Sequence, residues 1–190
     1  MQGSILGPIL FLCFINDLHL ATTLLTLLFA DDTVCLDSDT DLPSLINRVN
    51  LEVQKLANWF RSNRMALNVG KTKFMVFRPK GVKIETDLEN NGIVYNSNEI
   101  GLPQDPSKIF KLGRICNDNE DKKERTYKFL GILLDEYLSF DAHCESLCTK
   151  LARSNFIISR VKNLLPTATL KTLYYSLIHP HLLYGLPIYS

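Results

Sequence analysis

"LLFADDTVCL", residues 27–36, sets two carboxylates side by side between two apolar runs. Leu, Phe and Val favour strands, whereas Asp is poor in strand centres and at home in turns, so the stretch reads as a hairpin or as two strands flanking a tight turn. The residues alone leave three explanations for Asp31 and Asp32 open. They make a turn; they cap a helix, which Thr33, Val34 and Cys35 disfavour; or they bind a hard cation. A divalent ion takes oxygen ligands and removes the repulsion between neighbouring carboxylates. Two-metal phosphoryl transfer holds such ions about 3.5–4 Å apart and needs more carboxylate than one turn supplies.

Upstream, "GSILGPILFLCFINDLHL" carries closely spaced apolar residues after Pro8, which a first helical turn tolerates, and predicts a buried helix over residues 6–18. Downstream, Asp41-Leu42-Pro43 opens a helix in which Leu45, Ile46, Val49, Val53, Leu56, Trp59 and Phe60 share one side, ending near Asn63. "MALNVGKTKFMVFRP" then gives a Gly-Lys turn and a strand through Phe74, Val76 and Phe77 that Pro79 closes. Residues 80–125 turn polar and irregular ("ENNG", "PQDPSK", "NDNEDKKER"), an insertion or loop with a short strand at Gly92 to Tyr95. "YKFLGILLD" restores a strand. Residues 142–164 form an amphipathic helix, and Pro166-Thr167 begins another running to about Ile178.

The 190 residues are 46% hydrophobic, enough to bury a core, and the net charge of +1 hides an uneven distribution. Residues 1–60 hold two Lys/Arg against seven Asp/Glu, residues 61–83 hold seven Lys/Arg and no acid, and residues 146–190 hold five Lys/Arg and no acid. Such basic segments suit a polyanion partner, although solvated helix faces give similar counts. Cys13, Cys35, Cys116, Cys144 and Cys148 are odd in number and scattered, which argues against a disulfide framework and for a reducing, intracellular compartment. His143 beside Cys144 and Cys148 lacks a second ligand pair, so ordinary packing is preferred to zinc. Residues 5–15 are apolar, but Asp17 ends the run well short of the roughly 18–20 residues of a membrane span, and no signal sequence with a basic start is visible.

Four segments taken in order, "QGSILGPILFLCFINDL", "FADDT", "NWFRSNRMALNVGKTKFMVF" and "YKFLGILLDEYLSFDAHC", resemble the reverse transcriptases of non-LTR retrotransposons, LINE-like elements of the jockey or chicken-repeat kind. The resemblance spans nearly the whole chain outside residues 80–125. It implies an α+β fold: a partial polymerase palm of antiparallel strands with packed helices, followed by an all-helical thumb-like region. The expected divisions are palm over 1–79, insertion over 80–125, a primer-grip-like strand region over 126–140 and the thumb-like helices over 141–190.

The resemblance also implies roles. Gln2, Gly3, Ser4, Gly7 and Pro8 would contact incoming nucleotide and template, the glycines allowing close approach. Asp31 and Asp32 would hold two Mg²⁺ ions, with Asp31 the more direct ligand and Ala30 small beside the primer end. Lys71, within Asn68-Gly70-Lys71-Thr72, would sit near the leaving pyrophosphate as cation or proton donor, or else is a surface lysine. Phe129, Leu130 and Gly131 resemble the primer grip. Lys150, Arg153, Arg160 and Lys162 would neutralise phosphates of an RNA template and DNA primer, deoxynucleotides being the substrate. Tyr127, Phe129, Tyr174, Tyr175 and Tyr184 could stack on bases, although most are read as core, as is Trp59. His179, Pro180, His181, Tyr184 and Gly185 match the family's "hP.L.YG" ending and carry no metal.

The family's palm has a further catalytic aspartate upstream of Gln2, together with fingers. The expectation is therefore a back half of a polymerase, inactive alone, or a non-catalytic remnant that binds nucleic acid.

Overall fold

In a computed structural model of the chain, the described residues are 6–82, 92–96, 109–116 and 125–189. They form a mixture of helices and small two-stranded sheets, divided into two compact units: residues 1–74 with 83–114, and residues 75–82 with 115–190.

The first unit is built on α1 (Leu6–Ile15), the antiparallel pair β1 (Leu25–Phe29) and β2 (Asp32–Leu36), and α2 (Leu42–Ser62). Asp41 caps α2, its carboxylate accepting from the Ser44 N–H at 3.0 Å, and Pro43 occupies the first turn where no N–H is needed. The apolar stripe read from sequence delivers Leu56 into a core with Ile15 and Leu18, and Phe11, Cys35, Trp59 and Phe60 pack against it. Trp59 thus behaves as expected, edge-on to Phe60 at 5.5 Å. A buried acid lies beneath the same helix: Glu52 accepts from the Thr22 hydroxyl and the Thr23 N–H, both at 2.8 Å, and pairs with Lys55 at 2.6 Å.

Two expectations change here. The helix stops at Ile15 and is followed by a 3₁₀ turn at Leu18–Leu20, because Asn16 and Asp17 break the apolar run. It is also not buried: Ile15 is, but Leu6, Ile9, Leu10, Leu12 and Phe14 are exposed, since the unit meets the helix only along its Phe11–Ile15 side. The strand expected in the insertion is present as β4 (Val94–Asn96), paired antiparallel with β5 (Ile109–Lys111). Asn50 on α2 fastens it, accepting from the Val94 N–H at 2.8 Å and donating to the Gly92 carbonyl at 3.4 Å, as a neighbouring strand would. Ile93, Tyr95 and Leu112 are buried there, so this part of the insertion is core rather than decoration. β3 (Lys73–Met75) pairs with β6 (Gly113–Ile115).

The second unit holds the antiparallel pair β7 (Tyr127–Phe129) and β8 (Ile132–Leu134), then α3 (Asp141–Val161), α4 (Thr167–Leu177), α5 (His179–Leu183) and α6 (Leu186–Tyr189). The single strand expected over "YKFLGILLD" is instead a hairpin. Leu130 at φ 45° and Gly131 at φ 92° put two successive residues in the left-handed region, which reverses the chain between Phe129 and Ile132. Asp135 organises the loop into α3: its carboxylate accepts from the N–H groups of Tyr137 (3.3 Å), Ser139 (2.8 Å) and Phe140 (3.3 Å) and from the Ser139 hydroxyl (3.1 Å). Those bonds hold Leu138 and Phe140 at positive φ. Glu136 is fully buried and held by both Arg78 nitrogens Nε and Nη2 at 3.1 Å, while the guanidinium lies 5.1 Å from the Tyr137 ring.

Candidate active site and nucleic-acid surface

The hairpin β1–β2 answers the question posed by the acidic pair. Phe29 is opposite Asp32, so Ala30 and Asp31 are the two-residue loop; Ala30 sits at φ 51°, as the first residue of a primed hairpin turn does. Cross-strand register puts Leu25–Leu36, Leu27–Val34 and Phe29–Asp32 on one face and Thr26–Cys35 and Leu28–Thr33 on the other. Cys35 packs on the core, and burial pushes its thiol pKa up, partly offset by the Thr26 hydroxyl. The face carrying Asp32 therefore points outward with Leu25, Leu27 and Phe29, all exposed. Asp31 and Asp32 are exposed too, and neither carboxylate has a hydrogen-bond or ion-pair partner among the described residues.

All carboxylate lone pairs at the tip are thus available to a cation, and the donor chemistry fits a hard divalent ion. Two carboxylates do not complete a coordination shell. Among the described residues no group of three or more His, Cys, Asp and Glu is assembled to hold a metal, there or elsewhere.

The other predicted residues divide between the two units. Gly7 and Pro8 lie in the first turn of α1, and a Cβ added at Gly7 meets nothing within 4 Å. Gln2, Gly3 and Ser4 lie outside the described residues. Lys71 is presented by a turn headed by Asn68, whose carbonyl accepts from the N–H groups of Lys71 (3.0 Å) and Thr72 (2.9 Å); the lysine side chain is exposed. Gly7, Pro8, Asp31, Asp32 and Lys71 belong to the first unit; Phe129, Leu130 and Gly131 and the α3 cations belong to the second.

In the second unit the β7–β8 turn is clasped from the C-terminal side. The Tyr184 hydroxyl donates to the Leu130 carbonyl, and a Cβ added at Gly131 would lie 3.3 Å from the Tyr184 ring. Gly185 at φ 74° leaves room for Ile132, whose Cδ1 would be 2.7 Å from an added Cβ. Tyr189 donates to the Tyr184 carbonyl at 2.9 Å and packs 5.0 Å from the His143 ring. His143 accepts from the Leu133 N–H through Nδ1 at 3.4 Å, and burial, with Lys150 nearby, holds its pKa below the ordinary histidine range. The Tyr184-Gly185 pair was visible in the sequence as a motif, but its target at Leu130-Gly131 was not.

Lys150, Arg153, Arg160 and Lys162 are all exposed. At about 100° per residue, Arg153 and Arg160 fall almost in line and Lys150 within about 80° of both, whereas Lys162 lies roughly opposite Arg160. Three of the four therefore form one basic stripe. Tyr127, Tyr174, Tyr175 and Tyr184 are exposed, contrary to the expectation that most of these aromatics are core; no residue of α4, α5 or α6 is buried. No helix among the described residues is long and apolar enough to cross a membrane.

The family model described as reverse transcriptase (RNA-dependent DNA polymerase) matches residues 1–134. The chain is 25% identical over 201 residues to the RNA-directed DNA polymerase from mobile element jockey of Drosophila melanogaster, an alignment covering 100% of this chain and 19% of that relative. No solved structure matches it. With the matched region running from α1 through β8, and with the paired carboxylates at its exposed hairpin, the chain belongs to the reverse transcriptase family, on the side of the jockey-type non-LTR elements.

Proposed function

We propose that the chain supplies palm and thumb elements of an RNA-directed DNA polymerase, with Asp31 and Asp32 as Mg²⁺ ligands. The observation that carries this reading is the exposed, partner-free acidic pair at the β1–β2 tip, within a segment of family sequence. Bound Mg²⁺ would supply charge neutralisation for nucleotidyl transfer from a deoxynucleotide to a primer 3′-hydroxyl. Asp31 and Asp32 would hold it, with the remaining oxygens from water, substrate phosphates and further acidic ligand. Gln2, Gly3, Ser4, Gly7 and Pro8 would line the nucleotide and template, and the open space beside Gly7 supports close approach there. Lys71, exposed on its Asn68 turn, would meet the leaving pyrophosphate. Phe129, Leu130 and Gly131 would support the primer, as a turn held by Tyr184 rather than as a strand. Lys150, Arg153 and Arg160 would track the phosphates of an RNA–DNA duplex, with Lys162 contributing from the other side.

Because no third carboxylate joins the pair among the described residues, the chain by itself is expected to bind template–primer without extending it. The test has two readouts on the purified chain. Mn²⁺ titration should broaden amide resonances of Ala30 to Thr33 first, and Asp31→Asn with Asp32→Asn should abolish that preference. Salt-sensitive binding to an RNA–DNA duplex should accompany it, without Mg²⁺-dependent extension on poly(rA)–oligo(dT). Broadening spread evenly over the surface would overturn the metal assignment, and robust extension would overturn the expected inactivity.

A further inference from the structure

We propose that α4 and the start of α5 carry a stacking platform for an unpaired nucleotide, so that the chain binds single-stranded nucleic acid with residues other than the basic stripe on α3. Three rings assemble there: Tyr174 and Tyr175 at 5.3 Å and 81°, Tyr175 and His179 at 5.1 Å and 64°, Tyr174 and His179 at 6.1 Å and 58°. Tilted and edge-on contacts of this kind are worth about 0.5–1.5 kcal/mol each, so the rings hold one another in place before any ligand arrives.

The cluster is not core. Tyr175 remains 60% exposed and Tyr174 39% exposed, on a helix with no buried residue. Lys171 precedes Tyr174 by three residues and Tyr175 by four, which places its exposed ammonium on the same helix face. Residues 146–190 contain no acid, so nothing in that stretch of sequence repels a phosphate. Exposed aromatics set beside a cation, in a stretch of sequence without acid, suit a flexible polyanion with flat, stackable bases. A protein partner would also cover exposed tyrosines, and the sedimentation arm of the test distinguishes a second copy of the chain from a nucleic acid. A duplex offers phosphates but keeps its bases stacked on one another, so the platform favours the single strand.

This inference rests on reading the chain as a nucleic-acid binder, and the experiment separates the two. Anisotropy titrations compare labelled oligo(dT) with an RNA–DNA duplex on the full chain. Tyr175→Ala should weaken oligo(dT) binding about tenfold, within the range of one lost stacked base, and leave duplex binding unchanged. Tyr175→Phe should bind as the parent does, because the ring face is kept. Tyr175→Leu, which retains bulk without a π face, should behave like the alanine variant and serves where alanine disturbs the cooperative melt. Lys171→Gln should reduce the salt slope on the single strand by about 0.7. The platform is overturned if Tyr175→Ala and Tyr175→Leu bind oligo(dT) as the parent does, if both lose duplex as much as single strand, or if the parent binds duplex but no oligo(dT). It is equally overturned if Tyr175→Ala converts a dimer to a monomer in sedimentation, since a second copy then covers the face. Absence of binding to either nucleic acid overturns the polymerase reading as well.

Discussion

Two hairpins of the chain share a plan and are held in opposite ways. Each follows a phenylalanine with a two-residue loop whose first residue is a non-glycine at positive φ: Phe29-Ala30-Asp31-Asp32, with Ala30 at 51°, and Phe129-Leu130-Gly131-Ile132, with Leu130 at 45°. The first is anchored at its root. Thr22 and Thr23, just before β1, are bound by buried Glu52, while the carboxylates at the acidic tip have no hydrogen-bond or ion-pair partner among the described residues. The second is anchored at its tip, where Tyr184 bonds the Leu130 carbonyl and packs on Gly131. A tip left free can meet a ligand; a tip held by the chain's own C-terminal region presents a fixed surface. The contrast teaches that similar local turn chemistry serves different ends according to where the tertiary contacts fall.

The largest expected effect comes from releasing the root. Glu52→Ala leaves the Thr22 hydroxyl and Thr23 N–H without their acceptor and should cost about 3 kcal/mol in urea unfolding. Burial alone would raise the Glu52 carboxyl, but Lys55, the Thr23 N–H and the Thr22 hydroxyl outweigh it and hold the pKa at about 2 against an ordinary 4.5. A depressed carboxylate contributes stability that is present above its unfolded pKa and lost as pH falls. Up to about 3 kcal/mol should therefore disappear between pH 4.5 and 2. Glu52→Gln should flatten that acid limb while keeping part of the stability at pH 7. An acid limb unchanged in the glutamine variant would mean that another carboxylate carries it.

Opening the clasp ranks next. Gly185→Ala places a Cβ 2.7 Å from Ile132 Cδ1 at a residue of φ 74°, so a steric clash and a left-handed backbone penalty act together. The expected loss is about 2 kcal/mol, with enhanced hydrogen exchange at Leu130 to Ile132. Exchange that rises instead around Ala30 would show that the two hairpins are not separately held.

The hairpin at Asp31 was legible because β-favouring residues surround a pair that turns favour, and α2 was legible because its stripe runs unbroken from Leu45 to Phe60. The hairpin at Leu130 was not. A Leu-Gly dipeptide inside "YKFLGILLD" carries little turn signal, and the contact that fixes it comes from Tyr184, 54 residues later. The exposure of α1 is hidden in the sequence for a related reason: all-round hydrophobicity says that a helix seeks neighbours, not how many the fold supplies. Glu52, Asp135 and Glu136 look in sequence like ordinary surface acids, and only their partners reveal buried anchors. For the candidate site, the acidic pair, the basic residues of α3 and the rings of Tyr174 and Tyr175 can be named from sequence, whereas the grouping of Tyr174, Tyr175 and His179 depends on the geometry at the α4–α5 junction.

A gentler break of the clasp is Tyr184→Phe, which removes only the hydroxyl bonded to the Leu130 carbonyl. Tyr184 is itself exposed, so water can replace the lost donor and the cost should be about 0.5 kcal/mol in the same unfolding assay. A loss above about 2 kcal/mol would indicate that the carbonyl is sealed from water once the clasp is closed.

The smallest stability effect belongs to the free tip. Asp31→Asn removes a charge that has no partner among the described residues and relieves repulsion with Asp32, so unfolding should shift by no more than about 0.5 kcal/mol in either direction. The same substitution should reduce the Mn²⁺-induced broadening at Ala30 to Thr33, and Asp31→Asn with Asp32→Asn should remove it, because a neutral amide is a poor replacement for a carboxylate toward a hard cation. Silence in stability combined with loss of metal response is what separates a residue kept for a ligand from one kept for the fold. If Asp31→Asn instead destabilises by more than about 1 kcal/mol, the tip of the first hairpin is structurally anchored like that of the second, and the distinction between them fails.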